Sequence, residues 1–165
     1  MLAYLKILRP LNGLMTTLAV FIGSVAAGSS VVPTQAVILA MISAFLISGG
    51  GMVINDYYDV GRDKINKPNR PLPSGKIKMN AAIGYYAILT VLGLTISYFI
   101  NTTAFLVALL VVVLLYLYSW RLKRTLLVKN VVISLLVGLS FVYGGLAAGN
   151  YFPTLLMAFL AFMSN

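Results

Sequence analysis

Six long apolar segments, separated by short polar connections, constrain the fold of this chain more than any other feature. Most of them approach the roughly 20 apolar residues that a helix needs to cross about 30 Å of hydrocarbon. The pattern predicts a multi-helix membrane protein. The segments are approximately Leu11–Val31, Ala36–Ile54, Ala81–Ile100, Thr103–Tyr118, Val131–Gly149 and Phe152–Met163.

The composition supports a membrane protein and narrows the chemistry that it can perform. The chain is 61% hydrophobic and 9% charged, with a mean hydropathy of +0.98, whereas soluble domains carry about 25% charged residues. It contains no cysteine and no histidine. Thiolate and imidazole chemistry is therefore excluded within this sequence, and carboxylates, amides, hydroxyls and cations remain.

The charged residues lie at one set of alternate connections between the apolar segments. The opposite connections, Ser29–Gln35, Asn101–Thr102 and Asn150–Tyr151, carry none. By the positive-inside rule, the N-terminus and the basic loops face the cytosol of a cell-membrane protein. Because the cations occupy short loops rather than one exposed face, we expect anionic headgroups or phosphorylated substrates as partners and no nucleic acid. The cations are Lys6, Arg9, Arg62, Lys64, Lys67, Arg70, Lys76, Lys78, Arg121, Lys123, Arg124 and Lys129.

All three acidic residues lie in one short stretch at the cytosolic end of the second segment. They are Asp56, Asp59 and Asp63, and Asn55 precedes them. If the helix continues through Gly61, residues 55, 59 and 63 share one face, with Asp56 beside them. Carboxylates at a membrane boundary are costly, and Mg²⁺ prefers such oxygen ligands and completes its shell with waters and phosphates. The stretch predicts a Mg²⁺ site, and solvated helix-end charges are the alternative.

The loop that follows this stretch contains several cations and three of the six prolines. Proline fixes φ near −65° and restricts the preceding residue, so the loop is expected to be stiff. Arg70, between Asn69 and Pro71, is the best candidate to bind a phosphate oxygen. Two Mg²⁺ ions and two nearby cationic side chains balance the charge of three carboxylates and one diphosphate.

These residues resemble the motifs of the UbiA family of intramembrane prenyltransferases. The pattern N-D-x-x-D-x-x-x-D is matched from Asn55 to Asp63, and R-P-x-x-S-G is matched from Arg70 to Gly75. An N-terminal R-P-x-N is matched from Arg9 to Asn12. A Tyr-Ser-x-x-Leu-Lys stretch follows the fourth segment, from Tyr118 to Lys123. The matches cover the chain in the order and spacing of the family.

The resemblance implies a fold and a set of site residues. The fold is an all-α, polytopic transmembrane helix bundle with about six of a probable nine spans in this chain. Asn55, Asp59 and Asp63 are expected to hold Mg²⁺ against a diphosphate, and Asp56 is expected to orient them, so that the three aspartates are the catalytic residues. The substrate-binding residues are expected to be Arg9, Asn12, Lys67, Arg70, Tyr118 and Lys123.

The resemblance also implies an activity. The loop after Asp63 is most similar to the archaeal lipid branch of the family, which implies Mg²⁺-dependent transfer of a geranylgeranyl group from its diphosphate to the hydroxyl of geranylgeranylglyceryl phosphate. A prenyltransferase with an aromatic or chlorophyllide-like acceptor is the first alternative, and a cation transporter is the second.

One feature of the family is missing from the sequence. The family carries a second aspartate-rich motif after its sixth helix, whereas this chain has no acid beyond Asp63. We therefore expect residues 1–165 to be the N-terminal part of a single transmembrane domain that ends early in the sixth helix, and to be inactive alone.

Overall fold

The computed structural model describes residues 2–29 and 32–163, and these residues form an α-helical bundle. The fold class predicted from the sequence is confirmed. The α-helices are α1 Leu2–Leu8, α2 Pro10–Ala26, α3 Gln35–Asn66, α4 Met79–Ile100, α5 Thr102–Trp120, α6 Leu126–Ala148 and α7 Thr154–Met163, and a 3-10 turn lies at Leu122–Arg124.

Helix α3 is the central element of the bundle and carries the acidic stretch. It packs against α1, α2, α4, α5 and α6. It runs without a break through Gly61 to Asn66, so the apolar segment and the acidic stretch form one helix of 32 residues. Its buried residues include Ala40, Ala44 and three consecutive glycines, 49–51. Such small residues allow neighbouring helices to approach closely inside a membrane.

The helices have the lengths and surfaces of membrane spans. Among the described residues, four helices (α3 to α6) are long and apolar enough to cross a bilayer, and α1 with α2 makes a fifth span if the bent pair is counted as one. Large apolar side chains on their outer faces are exposed, including Leu14, Ile88, Phe99, Leu106 and Leu110. A soluble monomer rarely exposes apolar surface on this scale. The chain is an integral membrane protein.

The predicted segments differ from the helices mainly at their ends. The first segment was expected to run to Val31, which lies outside the described residues, and α2 ends at Ala26 before Gly28, which has a φ of +90°. Helix α6 begins five residues earlier than expected, at Leu126. The sixth segment forms the ten-residue α7, which is too short for a full crossing at 1.5 Å per residue.

A kink at Arg9 separates α1 from α2. Arg9 has a φ of +49°, in the left-handed region that non-glycine residues rarely adopt, and Pro10 then begins α2. The two helix axes meet at 46°. The kink turns the Arg9 side chain towards the acidic stretch of α3, where it forms an ion pair with Asp56.

The proline-rich loop between α3 and α4 is held by turns and by two buried side chains. The backbone N–H of Arg70 donates to the carbonyl of Lys67 (3.1 Å), and the carbonyl of Arg70 accepts from Ser74 (3.0 Å). Leu72 and Ile77 are buried in an apolar cluster with residues of α1, α3 and α4. These anchors place Arg70 over the acidic stretch.

Candidate functional site

Asp56 and Asp63 form the first of two charged groups at the C-terminal end of α3. Arg70 Nη1 lies 2.5 Å from Asp63 Oδ2 and 3.2 Å from Asp56 Oδ1, so one guanidinium bridges both carboxylates. Arg9 forms an ion pair with the same Asp56 oxygen. Asp56 is 2% exposed. A carboxylate this deeply buried needs such partners, because burying an unpaired charge is very costly.

Asn55 and Asp59 form the second group, around Lys123. The Lys123 ammonium lies 2.7 Å from Asp59 Oδ1 and donates to Asn55 Oδ1 at 3.0 Å. Asn55 Nδ2 donates to the other Asp59 oxygen at 3.3 Å. Arg62, one helical turn along α3, contacts Asp59 Oδ1 at 2.8 Å. Lys123 comes from the 3-10 turn after α5, so the fold brings together groups 64 residues apart.

The two groups together attract anions. Four cations, Arg9, Arg62, Arg70 and Lys123, contact the three carboxylates. The cluster therefore has one positive charge in excess, at a boundary where solvent screening is reduced. A diphosphate that approaches this end of the bundle meets guanidinium and ammonium donors that can form charge-assisted hydrogen bonds.

The donor set fits a hard divalent cation. The Lys123 ammonium occupies the space between the Asn55 and Asp59 oxygens, which is a position that a metal ion can take in its place. In the described part of the chain, no three acidic side chains converge as a complete metal site. Mg²⁺ does not require a complete protein cage, because it binds through one or two carboxylates, several waters and substrate phosphates.

An apolar cavity of about 390 Å³ opens beside the charged groups. Helices α2, α3, α5 and α6 enclose it. Its polar mouth includes three predicted substrate-binding residues, Arg9, Asn12 and Tyr118, and the predicted metal ligand Asn55. The deeper lining is mostly apolar and comprises Thr16, Val20, Ala44, Ile47, Ser48, Gly51, Met52, Ala108, Val111, Leu115, Ser119, Ile133, Leu136, Val137, Leu139, Ser140 and Tyr143.

One predicted substrate-binding residue lies elsewhere. Lys67 lines a separate cleft with Lys6, Asn66, Asn69 and one side of Arg70. The Lys67 carbonyl accepts the Arg70 N–H, so the two residues lie at the ends of one turn, and Arg70 is the one whose side chain pairs with the carboxylates. The structure therefore brings Arg9, Arg70 and Lys123 to the acidic stretch and leaves Lys67 outside the main cavity.

Two residues that contact the site or line the cavity, Arg62 and Tyr143, were not among the predicted site residues. Arg62, which the sequence analysis names only as one of the cations, contacts Asp59, three residues earlier on the same helix. Tyr143 of α6 lines the cavity and bonds through its hydroxyl to Ser97 and Ser43. The available signal was the presence of hydroxyl side chains inside three otherwise apolar segments, since buried polar groups in a membrane need partners.

The sequence is similar to a known protein family and to proteins of known name. A model of the UbiA prenyltransferase family matches residues 14–164. The digeranylgeranylglyceryl phosphate synthase of Sulfurisphaera tokodaii is 44% identical over 88% of this chain and 52% of its own length. The enzyme of that name from Methanopyrus kandleri is 38% identical over 100% of this chain and 60% of its own length. The chain thus spans between half and three fifths of these relatives.

Solved structures share the fold of the described residues. A structure of a digeranylgeranylglyceryl phosphate synthase superposes with a TM-score of 0.93 at 36% identity and covers 98% of this chain and 58% of its own. A UbiA homologue from Archaeoglobus fulgidus, bound to DMAPP and Mg²⁺, gives a TM-score of 0.79 at 27% identity over 88% of this chain and 54% of its own.

Proposed function

This chain belongs to the UbiA prenyltransferase family, and on that premise we propose that it forms the cytosolic diphosphate-binding half of a Mg²⁺-dependent prenyltransferase of the cell membrane. The observation that carries the proposal is the position of the charged groups beside the apolar cavity, which Arg9 and Asn55 of these groups line. A prenyl diphosphate has the same division, with an anionic head on an apolar tail. Head and tail therefore both find a complementary surface.

The charged groups would bind the diphosphate head. Asn55, Asp59 and Asp63 would hold Mg²⁺, with Asp56 fixed by Arg9 and Arg70 as the residue that orients them. The metal, when bound, supplies a Lewis acid that stabilises negative charge on the leaving group. Arg70 and Lys123 would donate hydrogen bonds to the phosphate oxygens, which stabilises the same developing charge. The predicted contact from Lys67 would require this side chain to reach out of the separate cleft that it lines.

The cavity would hold the prenyl chain and the reacting carbon. The bond between the first prenyl carbon and the diphosphate oxygen breaks, and the electron pair leaves with the diphosphate. A hydroxyl oxygen of the acceptor then bonds to the allylic carbon, and its proton passes to an oxygen of the released diphosphate. Apolar walls keep bulk water away from this cation.

We propose geranylgeranyl diphosphate as donor and the free hydroxyl of geranylgeranylglyceryl phosphate as acceptor, which yields an ether lipid. The names of the relatives support these substrates. The sequence of the loop after Asp63 also favours them over an aromatic acceptor of the quinone pathways.

The continuous helix α3 argues against a cation transporter. Transporters usually place their ion site near the bilayer midplane on broken helices. Here the carboxylates lie in the last three turns of an unbroken helix, beside a loop rich in cations.

Thermal unfolding of the full-length protein in detergent tests the proposal. We expect Mg²⁺ and a non-hydrolysable geranylgeranyl diphosphate together to raise the midpoint more than either alone, since each ligand binds the folded state and completes the site of the other. A transporter would respond to the cation alone. Equal stabilisation by the diphosphate after complete chelation would contradict the metal-dependent site.

A further inference from the structure

Tyr143 lies at the deep end of the apolar cavity. Along their helices, the lining residues farthest from the carboxylates are Val20 of α2, Ala44 of α3, Ala108 of α5 and Tyr143 of α6. Among these four described residues, Tyr143 is the one with a large side chain. It is 5% exposed, so its ring is enclosed by the bundle.

Hydrogen bonds fix the Tyr143 ring in this position. Its hydroxyl lies 2.6 Å from Ser97 Oγ of α4 and 3.0 Å from Ser43 Oγ of α3. Both serines also bond to the carbonyl of Gly93, at 2.9 and 3.0 Å. In a low-dielectric interior these bonds are costly to break. The ring is therefore held between three helices and does not swing aside at low cost.

Direct contact between α2 and α6 closes the space around the ring. A Cβ atom added at Gly144 would lie 1.9 Å from the carbonyl oxygen of Val20. One added at Gly23 would lie 2.2 Å from the carbonyl oxygen of Phe141. The two backbones thus touch at Phe141 and Gly144, which flank Tyr143 in the sequence of α6. In the described backbone, α2 and α6 leave no space at these two points for a long tail to pass between them.

We propose that Tyr143 limits the length of the prenyl chain that the cavity accepts. The inference rests on the proposed function, because it assigns the tail of the donor to this cavity. From Asn55 at the mouth to Ala44 at the deep end, α3 rises about 16 Å at 1.5 Å per residue. A chain that is too long for this depth meets the anchored ring. Selectivity then comes from steric exclusion of the longer donor.

The Tyr143→Ala variant of the full-length protein tests the proposal. Removing the ring leaves both serines bonded to Gly93, so no polar group is stranded. We expect the ratio of kcat/KM for the C25 diphosphate to that for the C20 diphosphate to rise about tenfold or more, the scale at which apolar pockets discriminate chain length. Tyr143→Phe keeps the ring but removes the hydroxyl that anchors it, so we expect a ratio between those of the wild type and Tyr143→Ala.

Leu136→Ala is the matched control. Leu136 lines the cavity on the same face of α6, two turns nearer the mouth, so its removal widens the cavity without deepening it. We expect its C25 to C20 ratio to stay close to that of the wild type. A Leu136→Ala ratio that rises as much as that of Tyr143→Ala would overturn the assignment, because added volume anywhere would then suffice.

The Ala44→Leu variant tests the proposal by filling the deep end of the cavity instead of enlarging it. It still tests the proposal if Tyr143→Ala does not fold. Filling the deep end is expected to shift the preference towards the C15 diphosphate. Transfer by Tyr143→Ala with an unchanged ratio, or by Ala44→Leu with no shift, would overturn the inference and leave the proposed function intact. If the wild-type protein neither binds nor transfers any prenyl diphosphate, the proposed function itself fails.

Discussion

Lys123 occupies the position between Asn55 and Asp59 where the proposed metal would bind. Removal of this cation is therefore expected to have opposite effects on two ligands. In Lys123→Met, Mn²⁺ used as a probe for Mg²⁺ should bind more tightly without diphosphate, because no ammonium competes for the oxygens. Affinity for the prenyl diphosphate should fall about tenfold or more, which corresponds to one charge-assisted hydrogen bond of about 1.5–3 kcal/mol.

Titration of Mn²⁺ followed by its paramagnetic resonance signal measures the first effect, and calorimetry with a non-hydrolysable prenyl diphosphate measures the second. Lys76→Met is the control, since Lys76 is exposed in the loop and takes no part in the ion pairs around the carboxylates. Weaker Mn²⁺ binding in Lys123→Met would show that this lysine does not compete for the metal position.

Asp59 has the most demanding role among the carboxylates, because it contacts both Lys123 and Arg62 and is a proposed metal ligand. Asp59→Asn and Asp59→Ala are expected to lower kcat/KM by more than the roughly 10–100-fold that follows loss of a second-shell partner. The protein should remain folded, which thermal unfolding verifies. Turnover at the wild-type rate in either variant would remove Asp59 from the metal site.

For individual residues, the sequence indicated which acidic side chains cluster, but it did not indicate which cation forms an ion pair with each of them. The clustering of all three acids is visible without a structure, and so is the helical spacing of residues 55, 59 and 63. The pairing of Arg9 with Asp56 joins residues 47 apart, and no local pattern encodes it. The role of Lys67 stays a prediction: it was grouped with Arg70 from its sequence position, and its side chain lines a separate cleft that also includes Arg70.

The close contact between α2 and α6 depends on glycine, and a substitution there tests how these two helices pack. Gly144→Ala places a methyl group against the Val20 carbonyl and is expected to lower the free energy of unfolding by about 1–3 kcal/mol, as overpacked cores do. Gly84→Ala in α4 is the control, because a Cβ there meets nothing within 4 Å. Thermal unfolding in detergent compares the two variants, and equal midpoints would contradict the close approach of α2 and α6.

Hydropathy located most of the helices well but could not describe how they bend or end. The segments predicted for α4 and α5 differ from the observed helices by two residues or fewer at each end. The kink between α1 and α2 was not predicted, because it depends on the left-handed conformation of Arg9, which an arginine adopts only when the surrounding structure holds it there. The early start of α6 was missed because Lys129 and Asn130 interrupt the apolar pattern.

The orientation of the whole molecule remains a proposal that the charge pattern supports and that the native sequence makes easy to test. Because residues 1–165 contain no cysteine, a single thiol introduced among them reports one position without background from this part of the protein. Lys76 lies in the basic loop after α3, whereas Asn150 lies in the exposed turn between α6 and α7 at the opposite end of α6 from the charged groups. The positive-inside rule places Lys76 in the cytosol.

In intact cells, a membrane-impermeant maleimide should therefore label Asn150→Cys and leave Lys76→Cys unlabelled until the membrane is permeabilised. This outcome would put the ion-paired carboxylates on the side where phosphorylated metabolites are made, as a soluble prenyl diphosphate donor requires. Labelling of Lys76→Cys but not Asn150→Cys in intact cells would show that the protein has the opposite orientation in the membrane. The carboxylates would then face away from any cytosolic donor, and the proposed reaction would have no route to its substrate.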